Sequence, residues 1–376
     1  MTLATVAVAL LASSLPPRPA GGGAPRLAVQ PHDQKLRQLR GGAAEPSGDN
    51  VDEGLYSRQL YVMGHKAQRS LASSTVLLLG LSGLGAEVAK NLVLAGVAGL
   101  DVHDETPASL ADLSSSFLLR EEDVGAPRAA RAPERLAPLN PHVAVAAAAA
   151  GPFDAERLRK YACVVAVDRP LDEQLALDAA CRAAGCRLVC ARSAGLFGSV
   201  FCDFGDAFEV DDADGEPPRQ ALLEHVGAAE DGTVVTVPEQ PHGLQDGDVV
   251  RFEDVDGMEA LCEAGRAFAV RVIDRHTLRI GDTRGLGEYA RGGRLVQVKQ
   301  PSTLAFAPLA AVAADPAAHI VDVGGASARR ALTTHACFCA LDARSAAGPP
   351  AAGCAESAAA FLDAVRGGGV APRRRR

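Results

Sequence analysis

A strand that runs into a glycine-rich turn and then into a helix constrains this chain more than any other feature. The strand is Thr75–Leu79, the turn covers residues 80–85, and the helix continues from Ala86. Strand, turn and helix in this order form the first half of a nucleotide-binding βαβ unit, whose helix N-terminus faces a phosphate. The middle glycine of the dinucleotide pattern is replaced by Ser82, which puts a side chain where the phosphate approaches the backbone. The segment therefore predicts the fold and counts against a bound phosphate.

Four residues in and after this turn are candidates for the site. Gly80, Gly83 and Gly85 form the turn, and a second predicted strand, Gly99–His103, leads directly to Asp104. Asp104 follows Gly83 by 21 positions, about where an acidic residue binds a ribose in such units. The alternative for Asp104 is an exposed acid that caps a loop. We expect the three glycines and Asp104 to be cofactor-binding residues.

The secondary-structure pattern changes twice along the chain. From residue 51 to about residue 205, strands and helices alternate, which predicts an α/β domain with a doubly wound, mostly parallel sheet covered on both faces. Short strands separated by turn formers such as Asp246-Gly247 then predict a small inserted β-barrel or sandwich. After Pro301 the pattern becomes helical. The expected domains are a leader at 1–50, the α/β domain at 51–205, the β insert at 206–300, a helical segment at 301–366 and a Gly/Arg tail at 367–376.

The expected strands follow from apolar runs bounded by turn residues. In the α/β domain they are, besides the two above, 143–147, 163–167, 187–191 and 199–204, with helices at 155–161 and 171–184. In the insert they are 233–237, 249–252, 267–273, 277–280 and 295–299. Helices are expected later at 308–314, 329–339 and 355–365.

Charge and cysteine content exclude several classes of function. A net charge of −8 argues against nucleic acid as a partner, because binding to phosphates needs a clustered basic face. The nine cysteines show no spacing typical of a metal or redox site. Cys163, Cys190 and Cys202 lie in apolar strand-like runs, where buried thiols act as small hydrophobes. We expect reduced structural thiols, a reducing compartment and no metal site.

The first 50 residues differ from the rest. Residues 3–15 are uncharged and too few to span a bilayer, and no acidic residue precedes Asp33. A signal or transit segment fits this composition, and so does a disordered leader or an unreliable start of the gene model. We expect no membrane partner and a cytoplasmic and nuclear protein, or an organelle-targeted one if the leader is a genuine targeting segment.

Several separated motifs match one enzyme family in the right order. They are GLYSRQLYVMG at 54–64, ADLSSSF at 111–117, REEDVG at 120–125, GLFG at 195–198, FCDFG at 201–205, HGL at 242–244 and YARGG at 289–293. In these motifs the chain resembles the N-terminal part of eukaryotic ubiquitin-activating enzymes, over about residues 51–365. The resemblance implies an inactive adenylation half with a ThiF/MoeB-like Rossmann-type fold, an inserted first catalytic-cysteine half-domain and a four-helix segment. Despite its name, that half-domain does not carry the family's thioester cysteine.

The resemblance also implies roles for particular residues. The family pairs two α/β halves, of which only the second binds ATP productively. Ser114, Ser115 and Ser116 stand where an active half has Asn-Arg-Gln, so the arginine that stabilises triphosphate charge is absent. Arg58 matches an arginine that reaches across to the ATP of the partner half; the alternative is a surface arginine paired with a nearby acid. Asp168 falls near a magnesium-binding aspartate of active halves, but a hard cation needs several oxygens, and no metal site is assigned.

In this family the complete enzyme adenylates the ubiquitin C-terminus and then captures it as a thioester. The resemblance implies a portion of such an enzyme, either a truncated gene model or a split subunit, with no catalytic residue of its own. ATP and magnesium are expected in the complete assembly and not tightly bound by this chain alone. The implied partners are ubiquitin or a ubiquitin-like protein, an active adenylation half and, indirectly, ubiquitin-conjugating enzymes. The alternatives are a non-catalytic pseudoenzyme scaffold and a nicotinamide-dependent oxidoreductase, which Ser82 and the β insert disfavour.

Overall fold

The computed structural model describes residues 52–212, 215–319 and 326–343, with 359–360 and 362–363. The leader at 1–50, most of the helix expected at 355–365 and the tail at 367–376 lie outside these residues. The described chain forms two compact units. One contains the residues up to Phe208 and those from Ala305 onward, and the other is Glu209–Leu304.

The first unit is built on a six-stranded sheet of order β3-β2-β1-β4-β5-β6. Strands β1 to β5 are parallel, and β6 pairs antiparallel with β5. The order reverses direction between β1 and β4, as in doubly wound nucleotide-binding folds. The predicted doubly wound, mostly parallel sheet is therefore confirmed. Its elements are α1 (Glu53–Ala72), β1 (Thr75–Leu79), α2 (Gly83–Ala95), β2 (Gly99–His103), α3 (Ala132–Leu136), β3 (Ala144–Ala147), α4 (Ala155–Leu158), β4 (Cys163–Val167), α5 (Leu171–Ala184), β5 (Arg187–Ala194) and β6 (Phe197–Asp203).

The two faces of this sheet contribute to separate apolar cores. Val76 and Leu78 of β1 pack into the core on the α2 side, whereas Leu77 and Leu79 pack into the core that contains Leu177 of α5. Because both faces are covered, successive residues of the strand are all apolar, which is typical of parallel sheets. Burial raises the pKa of the Cys190 thiol to about 12 and that of Cys202 to about 11. These thiols stay protonated at neutral pH.

The second unit is an antiparallel sheet that closes on itself. Its strand order is β11-β10-β14-β8-β9-β13-β12, so β11 and β12 lie at opposite ends. In sequence, Val270 alone separates these two strands, and its N–H donates to the Asp248 carbonyl oxygen at 2.8 Å. One broken strand thus joins both edges, which makes the unit a small barrel. Its strands are β8 (Gln220–Val226), β9 (Thr233–Thr236), β10 (Val249–Glu253), β11 (Phe268–Ala269), β12 (Arg271–Val272), β13 (Thr277–Arg279) and β14 (Arg294–Val298).

The remaining elements are a short two-stranded sheet and two helices. Strands β7 (Phe208–Val210) and β15 (Ser302–Leu304) pair with each other. Helix α6 (Leu309–Ala314) and helix α7 (Ala326–Ala343) follow. Arg192 at the end of β5 donates to both carboxylate oxygens of Asp342 on α7, at 2.7 and 2.8 Å, which holds this helix on the first unit. No helix of the described residues is long and apolar enough to cross a membrane.

Candidate functional site

The glycine turn lies at the carboxyl end of β1, where the chain folds back tightly on itself. Gly80 has φ +97°, and a Cβ there would lie 2.2 Å from the Val167 carbonyl oxygen at the end of β4. A Cβ on Gly85 would lie 2.1 Å from the Gly80 carbonyl oxygen. Both positions therefore require glycine for the close approach of backbone to backbone. Gly80 and Gly85 shape the turn whether or not a ligand is bound.

The third glycine lies against the serine-rich segment after β2. A Cβ on Gly83 would come within 2.7 Å of the Ser115 Cβ, so the start of α2 is covered by the Ser115 side chain. Ser114 donates to the Ala111 carbonyl oxygen at 2.7 Å, and Ser116 is buried. The serines thus pack as a short turn against the helix N-terminus.

The predicted phosphate position is crossed by a hydrogen bond from Ser82 to Asp168. Ser82 Oγ donates to Asp168 Oδ2 at 2.5 Å, and the backbone N–H of Ser193 donates to Asp168 Oδ1 at 3.0 Å. Ser82 occupies the N-cap of α2, yet its side chain makes no bond to the helix. Asp168 itself has φ +51°, a left-handed conformation that is uncommon for residues other than glycine. The segments that follow β1 and β4 are thereby connected to β5 across the turn.

The expected ribose ligand, Asp104, is fully engaged by protein donors. Its side chain is 2% exposed; Leu81 N–H donates to Oδ2 at 2.7 Å and Thr106 N–H donates to Oδ1 at 2.9 Å. Arg128 Nη1 lies 3.6 Å from Oδ2 and its Nη2 lies 2.9 Å from Asp112 Oδ1. The alternative interpretation of Asp104, an exposed acid that caps a loop, is therefore wrong, because the side chain is buried. Its hydrogen bond from the Leu81 N–H holds the glycine turn in place.

A nucleoside triphosphate with magnesium does not fit this arrangement. Ser82 and Ser115 occupy the approach to the helix N-terminus, and the oxygens of Asp104 and Asp168 already accept hydrogen bonds. Within the described residues, no group of three His, Cys, Asp or Glu side chains could hold a metal ion.

A separate opening of about 410 Å³ lies on the α5 side of the sheet. Leu79 and His103 line it at the ends of β1 and β2, and the His103 ring meets Phe153 edge-on at 5.1 Å. Arg169 also lines this opening, and its guanidinium donates a hydrogen bond to Glu173 at 2.8 Å. This opening offers an apolar wall and a cation that is already paired.

Arg58 does not share a site with the glycine turn. It lies on α1, two residues after Tyr56, whose ring rests on Gly96 just beyond the C-terminal end of α2. Because α2 has 13 residues, its ends are about 20 Å apart, and the glycine turn is at the other end. Arg58 is exposed and makes no hydrogen bond or ion pair with any described residue. The structure thus brings together Gly80, Gly83, Gly85, Asp104 and Asp168 and places Arg58 elsewhere.

Sequence reasoning missed Tyr56 and Asn140, which fix the helix that carries Arg58. Asn140 Nδ2 donates to Tyr56 Oη at 3.0 Å across 84 residues of sequence. No local pattern indicates such a contact, although an aromatic residue two positions before a functional arginine could have suggested a buried anchor.

Family models match two consecutive parts of the chain. Residues 56–230 match the ThiF family, and residues 229–299 match the ubiquitin-activating enzyme E1 FCCH domain. Among similar proteins, ubiquitin-like modifier-activating enzyme 1 of Oryctolagus cuniculus is 41% identical over 300 residues, covering 80% of this chain and 28% of the relative. The Homo sapiens protein of that name is 43% identical over 276 residues, 73% of this chain and 26% of the relative.

A differently named relative gives the same picture. Ubiquitin-like modifier-activating enzyme 6 of Mus musculus is 38% identical over 300 residues, which is 78% of this chain and 28% of that protein. The chain thus spans little more than a quarter of the length of the curated relatives it matches.

Proposed function

Because residues 56–299 belong to the ubiquitin-activating enzymes, we propose that this chain supports ATP-dependent activation of ubiquitin or a ubiquitin-like protein without adenylating it alone. In this role the first unit docks on an active adenylation half, from the same gene or a separate subunit. ATP and magnesium bind in that half. Ubiquitin-conjugating enzymes are indirect partners, and the site of action is cytoplasmic and nuclear.

The observation that carries this proposal is the closed glycine turn. The Ser82–Asp168 hydrogen bond and the engaged Asp104 leave this unit without a cradle for a triphosphate. Adenylation develops strong negative charge, which preorganised donors and cations must stabilise. A unit that lacks those groups supports adenylation by a second α/β half that has them.

Arg58 is the residue through which the chain contributes to chemistry. It is exposed, has no partner among the described residues and lies about a helix length from the unit's own glycine turn. An unpaired guanidinium at such a position can reach the phosphates of a neighbouring subunit, where it stabilises developing charge. The β unit, in contrast, lies outside the phosphate chemistry and contributes to binding of the modifier.

The test is ubiquitin-dependent exchange of pyrophosphate into ATP by this chain co-expressed with an active adenylation half from the same genome. Arg58→Ala is expected to slow exchange on the order of 10²-fold and to change ubiquitin affinity far less. The matched control is Arg131→Ala, another exposed arginine, which pairs with Glu134. Exchange by the Arg58→Ala assembly at the unsubstituted rate would refute the role of this arginine.

A non-catalytic scaffold is the second candidate, because the same closed turn fits a protein that only binds ubiquitin or a partner half. The two functions differ in one result. If the assembly forms and binds ubiquitin while its exchange rate equals that of the active half alone, the chain acts as a scaffold.

A further inference from the structure

The side chain of Tyr56 is seated in a place that exists only because its neighbour is glycine. Tyr56 is 9% exposed, and its ring lies over Gly96, which follows α2 with φ +83°. A Cβ on Gly96 would lie 2.3 Å from Tyr56 Oη and 2.6 Å from Cζ. The left-handed backbone and the missing side chain therefore make room for the phenol ring.

Asn140 locks the hydroxyl of this tyrosine to the end of α2. Its Nδ2 donates to Tyr56 Oη at 3.0 Å and to the Val93 carbonyl oxygen at 3.0 Å, while its Oδ1 accepts from His142 N–H at 3.1 Å. Asn140 is itself buried. Hydrogen bonds of this kind are short-ranged and directional, so they fix both the distance and the orientation of the phenol ring.

In the first half of α1, the half-buried Met63 also packs against the core on the α2 side of the sheet. From residue 53 to residue 64, Tyr56 is the one buried residue, whereas Leu55, Tyr61 and Val62 are exposed. The helix is broken at Gly64, which has φ +77° and ψ +168°. The segment that carries Arg58 is thus connected through a bend at one end and anchored through Tyr56 near the other.

Because Arg58 follows Tyr56 by two residues, the anchored tyrosine fixes the direction in which the arginine side chain points. The backbone is kinked at Tyr56 (φ −104°, ψ +15°), and the segment that carries Arg58 continues directly from this anchored residue. With Tyr56 directed at Gly96, Arg58 is directed outward, in agreement with its exposure. A rotation of the helix segment about its axis would move the guanidinium through several ångströms, and catalytic groups displaced by about 1 Å can lose about 10²-fold in rate.

We propose that Tyr56, seated on Gly96 and hydrogen-bonded by Asn140, is the positioning residue that aims Arg58 at the polyphosphate of a docked adenylation half. The inference rests on the proposed function for the target of Arg58. The anchoring of α1 by Tyr56 is independent of that target and is testable on this chain alone.

The first experiment measures amide hydrogen–deuterium exchange of the full chain. Tyr56→Ala removes the ring, Tyr56→Phe removes only the hydroxyl, and Tyr61→Ala is the matched control because Tyr61 on the same helix is 93% exposed. Exchange at residues 57–63 is expected to accelerate at least tenfold in Tyr56→Ala, less in Tyr56→Phe and not in Tyr61→Ala. Strands β1 and β4 should keep their protection in all three, which shows that the fold is retained. Unchanged exchange at 57–63 in both Tyr56 variants would overturn the proposal.

The second experiment is a double-mutant cycle in the assembly with the active adenylation half. Tyr56→Ala is expected to slow ubiquitin-dependent pyrophosphate exchange about tenfold at saturating ATP. The same substitution should cause no further loss in the Arg58→Ala background, because a residue that acts through Arg58 has no effect without it. Arg131→Ala, which replaces an exposed arginine paired with Glu134, should leave the rate unchanged in both backgrounds.

The outcomes separate the two proposals. If Arg58→Ala slows exchange but Tyr56→Ala does not, or if the two losses multiply, the positioning role is wrong and the proposed function stands. If Arg58→Ala has no effect on exchange, the proposed role of Arg58 and the positioning role of Tyr56 both fail. The proposed support of adenylation fails separately, if the complex exchanges no faster than the active half alone.

Discussion

At the scale of single residues, a buried carboxyl group on α5 is the most consequential titrating site. Asp178 Oδ2 accepts the Leu309 N–H of α6 at 2.8 Å, and its other oxygen has no donor among the described residues. Asp203 of β6 lies beside it and pairs with Arg182 at 2.6 Å; Arg182 also reaches Asp206 at 2.9 Å. Burial, and then the neighbouring Asp203 carboxylate, raise the pKa of Asp178 to about 6.

This shift predicts how stability depends on pH. The pKa of an unfolded aspartate is about 3.9, so the folded state holds the proton more tightly. The contribution of Asp178 to stability is therefore most favourable below about pH 4, becomes less favourable as pH rises from about 4 to about 6, and changes little above that. Asp178→Asn is expected to flatten this slope and to raise stability at pH 8 by on the order of 1–2 kcal/mol. Urea unfolding from pH 4.5 to 8 checks this, with the exposed Asp172→Asn as control; a slope unchanged in Asp178→Asn contradicts it.

A second prediction at this scale concerns Gly85. Alanine in a helix is ordinarily favoured over glycine by about 1 kcal/mol, but here its Cβ would lie 2.1 Å from the Gly80 carbonyl oxygen. Overpacking against backbone outweighs the propensity, so Gly85→Ala should destabilise the chain by about 2 kcal/mol or more. Gly54→Ala on α1 is the matched control, because its Cβ would meet only the Asp52 side chain, at 3.3 Å. Equal denaturation midpoints for the two variants would contradict this prediction, because they would show that the turn widens enough to accept a methyl group at position 85.

At the scale of elements, the barrel depends on a histidine that joins two of its loops. His242 is buried, its Nδ1 accepts from Leu244 N–H at 3.0 Å, and its Nε2 lies 2.8 Å from the Asp274 carbonyl oxygen. One ring nitrogen therefore accepts and the other donates, which requires the neutral ring with its proton on Nε2.

His242→Ala should therefore destabilise the barrel by about 2–3 kcal/mol. The substitution leaves the buried Leu244 N–H without its acceptor and the Asp274 carbonyl oxygen without its donor. Thermal unfolding followed by circular dichroism measures the loss, and the exposed His225→Ala serves as control. If the two variants melt together, the contacts of His242 add nothing to the stability of the barrel.

The elements differ in how far sequence alone could predict them. Strands β1, β2 and β4 have the predicted bounds because both faces of a parallel sheet are buried and the apolar runs are continuous. Strand β8 was missed, because its QALLEHV sequence is rich in helix formers and is held extended by pairing with β9 and β14. The expected strand at 267–273 is broken at Val270, where the barrel closes.

The site was less predictable than the fold. The glycine turn and Asp104 could be located from spacing, but the Ser82–Asp168 hydrogen bond joins residues 86 positions apart. The contact between Tyr56 and Asn140 likewise depends on how α1 packs. Such contacts arise from tertiary packing and leave no periodic signal in the sequence.

At the scale of the whole molecule, the α/β unit exposes several large apolar side chains. They are Leu55, Tyr61 and Val62 on α1 and Leu196 and Phe197 at the turn between β5 and β6. Exposed apolar surface of this kind is typical of an interaction site or of self-association. We expect the chain alone to self-associate and, on co-expression with an active adenylation half, to form a stable complex. Light scattering on the gel-filtration eluate measures the mass of the chain alone and of the co-expressed complex. A monodisperse monomer that does not bind the partner half would contradict the expectation.

We propose that this chain supports adenylation on another half and performs none itself. Ubiquitin-dependent exchange of pyrophosphate into ATP tests it most directly, measured for the chain alone, the active half alone and the two together. We expect no exchange by the chain alone and a rate for the complex well above that of the active half. Ubiquitin-dependent exchange by the purified chain without any partner would contradict the claim, because it would require a triphosphate at the turn that Ser82 and Asp168 close.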